Sequence, residues 1–263
     1  MVWMLLAVAF AAGLIAWPFL HNAREQRRLR TLQVRPIEPA RWAMLRAALP
    51  VLDRLSPELR ALYELRLKEF LAYKRYYGCD GLEVSEDMRW LIAAQACLLV
   101  LRPESGTFPS LRSVLVYPSV FEVPPMPAPV EFGEFELVDD EADERIGESH
   151  DSGRVILSWA DVEAALDGDP VNVVVHEFAH QLDASDAGAP QLSDYTRWSA
   201  VMQAEYDRLH ERASPVLDDY GLEGPGEFFA VASEAYFQQG AAFKRCHASL
   251  YELLRGFYRI DTA

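Results

Sequence analysis

Two histidines and a glutamate stand at a spacing that can bind a metal ion. Residues 171–182 read VNVVVHEFAHQL, which places His176, Glu177 and His180 in the order HExxH within an apolar run. On an α-helix, side chains four positions apart lie on one face, so both imidazoles can reach a single ion. Glu177 follows the first histidine directly and can act on a metal-bound water as a general base. The pattern predicts a catalytic zinc site.

The third protein ligand of such a site is not part of this motif. The metzincin continuation HExxHxxGxxH is absent, because Asp183 and Asp186 occupy its glycine and third-histidine positions. We therefore expect a carboxylate from a later helix, as in His₂Glu sites. Residues 226–239, GEFFAVASEAYFQQ, offer Glu227 and Glu234, seven positions apart on one helical face. Spacing leaves both open, since Glu227 could instead complement the helix dipole and Glu234 could instead orient a zinc-bound histidine.

An uncharged segment opens the chain. Residues 2–20 read VWMLLAVAFAAGLIAWPFL, which is long enough to cross a bilayer as a helix. Four arginines follow between residues 24 and 30, and no Lys or Arg precedes the segment. This favours an anchor over a cleaved signal peptide, with a buried helix as the third alternative. The positive-inside rule then places the remainder of the chain in the cytoplasm, tethered to the inner membrane.

The composition excludes one class of partner. The chain has 263 residues, with 40 Asp and Glu against 25 Lys and Arg, and a formal net charge of −15. A nucleic-acid backbone would repel such a chain, so we expect no direct nucleic-acid binding. The three cysteines are widely separated and form no CxxC pair, and Cys97 lies in an apolar run where we expect it to be buried.

Hydrophobic periodicity and turn residues predict a mostly helical α+β fold with a small sheet. The predicted helices cover residues 39–50, 56–77, 85–101 and 160–166 and the stretch that begins at Glu227, and the predicted strands cover residues 114–117 and 154–158. We divide the chain into a membrane-anchor helix at 1–22, a basic linker with a first helix at 23–50, and a catalytic domain at 51–263.

Several stretches together resemble a known family. HEFAHQLD, the preceding ILSW and the later EFFAVASEAYF, with LVYPSVF at residues 115–121, resemble the Mlc titration factor A family of zinc peptidases. These are gluzincins related in their site to the catalytic domain of anthrax lethal factor. The resemblance runs from about residue 50 to the C-terminus, and the apolar N-terminal helix is not part of the usual pattern. It implies a zincin-like metallopeptidase domain with one zinc ion per chain.

The resemblance also implies roles for individual residues. Glu227 matches the ligand of the family's ExFAVxSE stretch, which leaves Glu234 as a residue that orients a zinc-bound histidine. Tyr220, seven residues before Glu227, matches a tyrosine that stabilises the tetrahedral intermediate. The resemblance further implies aminopeptidase-like hydrolysis of small peptides and binding to a glucose-responsive transcription repressor.

Two other functions compete with a peptidase. One is a zinc-containing regulatory protein that sequesters a transcription repressor with little or no catalysis, and the other is a membrane-tethered adaptor with a vestigial site. The glutamate of HExxH favours an enzyme, because a structural zinc site needs no base and fills all four coordination positions with protein ligands.

Overall fold

The computed structural model describes residues 36–103, 105–119, 153–183 and 195–263. The described chain divides after Trp42, and residues 43–263 form the compact unit that holds the candidate site. None of the described helices is both long enough and apolar enough to span a membrane. The predicted anchor at residues 1–22 lies outside the described residues, as does most of the basic linker, so both stay predictions.

The described residues form nine α-helices, two 3₁₀ helices and three short strands. The α-helices are α1 (Pro39–Ala48), α2 (Pro57–Tyr73), α3 (Glu86–Leu98), α4 (Trp159–Leu166), α5 (Val173–Asp183), α6 (Tyr195–Glu211), α7 (Pro225–Gln238), α8 (Gly240–Cys246) and α9 (Ala248–Tyr258). The strands are β1 (Arg75–Gly78), β2 (Ser113–Tyr117) and β3 (Arg154–Ser158), and the 3₁₀ helices are Pro50–Arg54 and Asp219–Leu222. The mostly helical α+β class with a small sheet is confirmed.

The three strands form one parallel sheet in the order β1-β2-β3. Val114 of β2 pairs with Tyr76 of β1 and with Val155 of β3. Val114, Val116 and Leu157 lie on one face of the sheet and are fully buried, while Leu115 and Ile156 on the other face are half-buried. β3 leads directly into α4 and contacts α5, so the sheet supports the helix that carries the HExxH motif.

The predicted helix at residues 56–77 is wrong at its C-terminal end. α2 ends at Tyr73, and the next residues leave the helix to form β1. The N–H of Arg75 donates to the carbonyl of Arg112 at 3.0 Å, where β1 begins to pair with β2. This pairing joins segments almost forty positions apart in sequence, so local helical periodicity could not show it.

An aromatic cluster fixes the orientation of α5. Phe178 is fully buried, and its ring lies 4.8 Å from the ring of Phe108 and 5.5 Å from that of Phe70, measured between centroids. At about 100° per residue, Phe178 points roughly opposite to His176 on the helix. The buried aromatic face of α5 therefore turns the histidine face toward α7, the helix against which α5 packs.

Candidate metal centre

The start of α5 is held by a residue that precedes it. Asn172 is 2% exposed, and its side-chain Oδ1 accepts the N–H of Val175 at 3.0 Å, which caps the first helical turn. Its Nδ2 donates to Oε1 of Gln95 on α3 at 2.9 Å. α3 thus fixes the end of α5 from which His176 projects one turn later.

Three donor atoms meet between α5 and α7. Nε2 of His176 lies 3.2 Å from Nε2 of His180, and Oε2 of Glu227 lies 3.1 Å from each of them. Ligands about 2.0–2.1 Å from a tetrahedral zinc ion stand roughly 3.3 Å apart. The observed separations therefore fit three corners of such a site. Among the described residues, these three form the one group of potential ligands close enough to share an ion.

Glu234 contacts the opposite side of the same imidazole. Its Oε1 lies 2.7 Å from Nδ1 of His176, and its Oε2 accepts the N–H of Asn172. A carboxylate at this position keeps the proton of the ring on Nδ1, so the lone pair of Nε2 faces the other two donor atoms. Glu234 therefore holds the ring of His176 and contributes no oxygen to the group of three.

Both glutamates come from one face of α7. Glu227 lies in its first turn, after the break at Gly224 and Pro225, and Glu234 lies about two turns further along a buried stretch. The start of α7 lies close to α5 at Gly226, where a Cβ would make an ordinary contact of 3.9 Å with the ring of His180. The two helices together supply all four side chains.

The carboxylates favour positive charge at this position. Burial lowers the pKa of His176, but the hydrogen bond and charge of Glu234, with the charges of Glu177 and Glu227, raise that pKa above its usual value overall. Burial raises the pKa of Glu177, and the charges of Glu227 and Glu234 add to the effect, while His176 opposes it. A carboxyl group with a raised pKa binds a proton more readily than an exposed carboxyl group does.

Tyr220 lies beside the first histidine. It belongs to the 3₁₀ helix Asp219–Leu222, its ring centroid is 5.8 Å from that of His176, and it is 47% exposed. Partial burial and the charges of Glu227, Glu223 and Glu177 raise the pKa of its hydroxyl. The hydroxyl therefore keeps its proton at neutral pH and can donate a hydrogen bond.

A cavity of about 500 Å³ opens beside His176, the first of the two histidines. A volume of this size is typical of a small-ligand pocket. Its wall combines three aspartates and four aliphatic side chains with residues of the candidate site: Asp161, Ala164, Asp169, Val171, Val173, His176, Asp218, Tyr220, Val231 and Glu234. None of these lining residues is Lys or Arg.

The structure brings the predicted site residues to one place and adds one that sequence analysis missed. The donor atoms of His176, His180 and Glu227 lie close together. Glu234 contacts the other ring nitrogen of His176, and the ring of Tyr220 lies beside that of His176. Asn172 was not singled out, although an Asn directly before an apolar helix is a common N-cap signal. Its second role, the bond to Glu234, joins residues 62 positions apart and has no local signal.

Comparison with known proteins agrees with this geometry. A family model described as glucose-regulated metallo-peptidase M90 matches residues 22–259. The chain belongs to this family. An M90 relative in Klebsiella pneumoniae, named Mlc titration factor A, is 33% identical over 238 residues, covering 81% of this chain and 84% of its own.

Two further relatives match almost the whole chain. An uncharacterized protein of Synechocystis is 37% identical over 268 residues, which is 95% of this chain and 94% of its own. The Mlc titration factor A of Pectobacterium atrosepticum is 28% identical over 271 residues, 94% and 92% respectively. The resemblance stated from the motifs is confirmed, and the M90 chain is a metallopeptidase in its general class.

Proposed function

We propose that this M90 protein is a zinc-dependent peptidase with aminopeptidase-like activity, in which His176, His180 and Glu227 hold the ion. The observation that carries the proposal is the 3.1–3.2 Å spacing of their three donor atoms. A zinc ion held there would polarise the scissile carbonyl and lower the pKa of a coordinated water.

Glu177 acts as the general base in this mechanism. Its carboxylate takes a proton from the attacking water and then delivers that proton to the nitrogen of the leaving amine. Burial raises the pKa of Glu177, so its carboxylate binds the proton more readily than an exposed glutamate would. Glu177 occupies no ligand position, so it is free to carry out both transfers.

Tyr220 acts as a hydrogen-bond donor to the developing oxyanion. Its hydroxyl stays protonated because its pKa is raised, and its ring lies next to that of His176. A donor placed where negative charge develops stabilises the transition state more than the ground state.

The adjoining cavity supports aminopeptidase-like cleavage. An aminopeptidase must recognise the ammonium group at the N-terminus of its substrate, and carboxylates are the side chains that bind such a cation. Asp161, Asp169 and Asp218 line the cavity that His176 and Tyr220 also line. The aliphatic part of the wall can accept an apolar side chain of the first substrate residue.

The deciding experiment compares Glu177→Gln with wild type. We expect the variant to keep its zinc and to lose hydrolysis of an amino-acid anilide by about 10²- to 10⁴-fold, because the base is gone and the ligands remain. The matched control, Glu163→Gln, changes an exposed glutamate on α4 and should keep full activity. Hydrolysis by Glu177→Gln at the wild-type rate, with zinc bound, would refute the assignment.

The relatives named Mlc titration factor A support a second candidate function. Their name says that they titrate Mlc, and two of those described above span more than four fifths of this chain. We propose that this chain also binds a protein partner of that kind, without needing catalysis. Binding of purified Mlc, measured by calorimetry, should survive Glu177→Gln. A chelator-reversible peptidase assay on the chain alone separates the enzyme from a binding protein without catalysis.

A further inference from the structure

The side chains of Glu205, His247 and Ser214 lie outside the metal centre and form a hydrogen-bonded series. His247 lies at the junction of α8 and α9, and its Nδ1 is 2.7 Å from Oε2 of Glu205 on α6. Its Nε2 is 2.7 Å from Oγ of Ser214, in the segment that follows α6. His247 is 3% exposed and Glu205 8%, so the series is closed to solvent at that end.

The hydrogen-bond partners determine where the protons lie. The N–H groups of Val216 and Leu217 both donate to Oγ of Ser214, at 3.2 and 3.1 Å. A hydroxyl oxygen accepts two hydrogen bonds and donates one, so the hydroxyl proton of Ser214 must point to Nε2 of His247. The ring then carries its own proton on Nδ1 and donates it to Glu205. Both ring nitrogens of His247 and the hydroxyl of Ser214 are satisfied in this arrangement.

The order Glu-His-Ser is that of a nucleophilic triad, but this serine is not placed to attack. A nucleophile needs a lone pair that faces its substrate. Both lone pairs of the Ser214 hydroxyl face the backbone N–H groups of Val216 and Leu217. The two backbone hydrogen bonds to the Ser214 hydroxyl therefore stabilise a turn at residues 214–217. The hydrogen bond between Ser214 and His247 holds that turn against the junction of α8 and α9.

The turn leads directly to Tyr220. Leu217 is buried, and the side chain of the next residue, Asp218, accepts the N–H of Tyr220 at 2.8 Å. On the other side of the tyrosine, the carbonyl of Leu222 accepts the hydroxyl of Tyr206 on α6 at 3.2 Å. The 3₁₀ helix that carries Tyr220 is thus held at both ends. The turn at Ser214 holds its N-terminal end, and the hydrogen bond from Tyr206 holds its C-terminal end.

We propose that Ser214, His247 and Glu205 are positioning residues for catalysis, which hold the 3₁₀ helix so that the hydroxyl of Tyr220 meets the reacting carbonyl. The inference rests on the proposed role of Tyr220 as oxyanion donor. A displacement of about 1 Å at a catalytic group can lower the rate about 100-fold, so loss of one hydroxyl at the turn should be measurable.

A double-mutant cycle on the zinc-loaded protein tests the proposal. We expect Ser214→Ala to lower kcat roughly 10- to 100-fold with little change in KM, and Tyr220→Phe to lower kcat by about 10²- to 10³-fold. The double variant should be no slower than Tyr220→Phe alone, because the serine acts through the tyrosine. Ser214→Thr keeps the hydroxyl and should restore kcat.

The controls separate positioning from general damage. Ser249→Ala removes an exposed hydroxyl two residues after His247 and should match wild type. Zinc content and the thermal unfolding midpoint are measured for every variant. His247→Gln and Glu205→Gln provide second breaks in the series, and each should show the same dependence on Tyr220 as Ser214→Ala.

Four results would overturn the inference. Wild-type kcat in Ser214→Ala would show that the turn is not needed, and losses that multiply in the double variant would show an effect independent of Tyr220. Labelling of Ser214 by a fluorophosphonate would show a nucleophile instead of a fixed turn. Wild-type kcat in Tyr220→Phe would remove the tyrosine's role and this inference together. The zinc peptidase proposal would not be affected by that result, because the Glu177→Gln variant tests it separately.

Discussion

His176 is contacted by two glutamates, one at each ring nitrogen. Oε2 of Glu227 lies 3.1 Å from Nε2, on the side of the metal centre, and Oε1 of Glu234 lies 2.7 Å from Nδ1. A substitution at Glu227 removes a donor atom from the centre. A substitution at Glu234 leaves all three donor atoms in place and frees the imidazole to rotate or to change its tautomer.

Metal retention should distinguish these two residues. We expect Glu227→Ala to lose its zinc on dialysis, because two imidazoles alone do not complete the protein ligand set of a catalytic zinc. Glu234→Ala should keep three ligands and bind zinc about 10- to 100-fold more weakly than wild type. Metal analysis after dialysis against buffers of increasing chelator strength measures both.

The control for this pair is Glu223→Ala, which removes an exposed glutamate four residues before Glu227 and should retain zinc as wild type does. Equal retention by Glu227→Ala and Glu234→Ala would contradict the roles assigned to them.

Sequence could place some of these residues and not others. The histidines are four positions apart, so helical geometry alone puts them together. Glu227 and Glu234 share a helical face, and periodicity cannot say which of them meets the Nε2 atoms of both histidines. The rotation and height of α7 against α5 decide that. Their assignment as ligand and orienting residue stays a prediction until metal binding is measured. The contacts of His247 could not be predicted from sequence, because Glu205 and Ser214 lie 42 and 33 positions away along the chain.

At the scale of secondary structure, α5 is a helix with two different faces. One carries the histidines, and the other carries Phe178 into the aromatic cluster with Phe70 and Phe108. The buried face provides the stability that allows polar groups to be held together on the opposite face. Loss of the aromatic contact should therefore affect stability first.

Phe178→Ala should destabilise the folded protein by about 3–5 kcal/mol, because it removes a fully buried ring and leaves a cavity. Phe178→Leu fills part of that volume and should cost less. Urea unfolding followed by circular dichroism measures the difference. Substitutions that leave no cavity lower the free energy of unfolding by less than about 1 kcal/mol. A loss that small in Phe178→Ala would contradict the packing described for α5.

The elements differ in how well sequence predicts them. β3 and α7 have strong local signals: an apolar run after a glycine, and a Pro-Gly break followed by an apolar helix. β1 has none, because its four residues become a strand only by pairing with β2. α6 was not predicted, since only Glu205 and Leu209 along its 17 residues are buried and its surface is mostly polar.

At the scale of the whole molecule, the metal centre joins distant parts of the chain. Its donor atoms come from α5 and from α7, 47 positions apart between His180 and Glu227. An ion bound to all three stabilises the folded state, because the unfolded chain does not hold them together. Metal removal should therefore lower stability as well as activity.

Chelation should lower the thermal unfolding midpoint of the wild-type protein. Zinc at about 100 times its dissociation constant stabilises the folded state by about 2.7 kcal/mol. For a domain of this size, that corresponds to roughly 5–10 °C. Differential scanning calorimetry with and without chelator measures the shift, and added zinc should reverse it.

Glu227→Ala provides the control for this experiment, because a chain that lacks the third ligand should unfold at nearly the same temperature with or without chelator. A wild-type midpoint that does not respond to chelator would mean that the ion contributes nothing to the folded state at this site.

The placement of both glutamates on α7 affects how the protein unfolds. In the proposed site, α7 supplies one oxygen to the ion and another to the imidazole of His176. With zinc bound there, α7 would have to break both contacts to separate from α5. Release of the ion to a coloured indicator would then report the moment at which these two helices part. Stopped-flow unfolding could follow that single event without any attached label, and comparison with tyrosine and tryptophan fluorescence would show whether the helices separate before the remaining core opens.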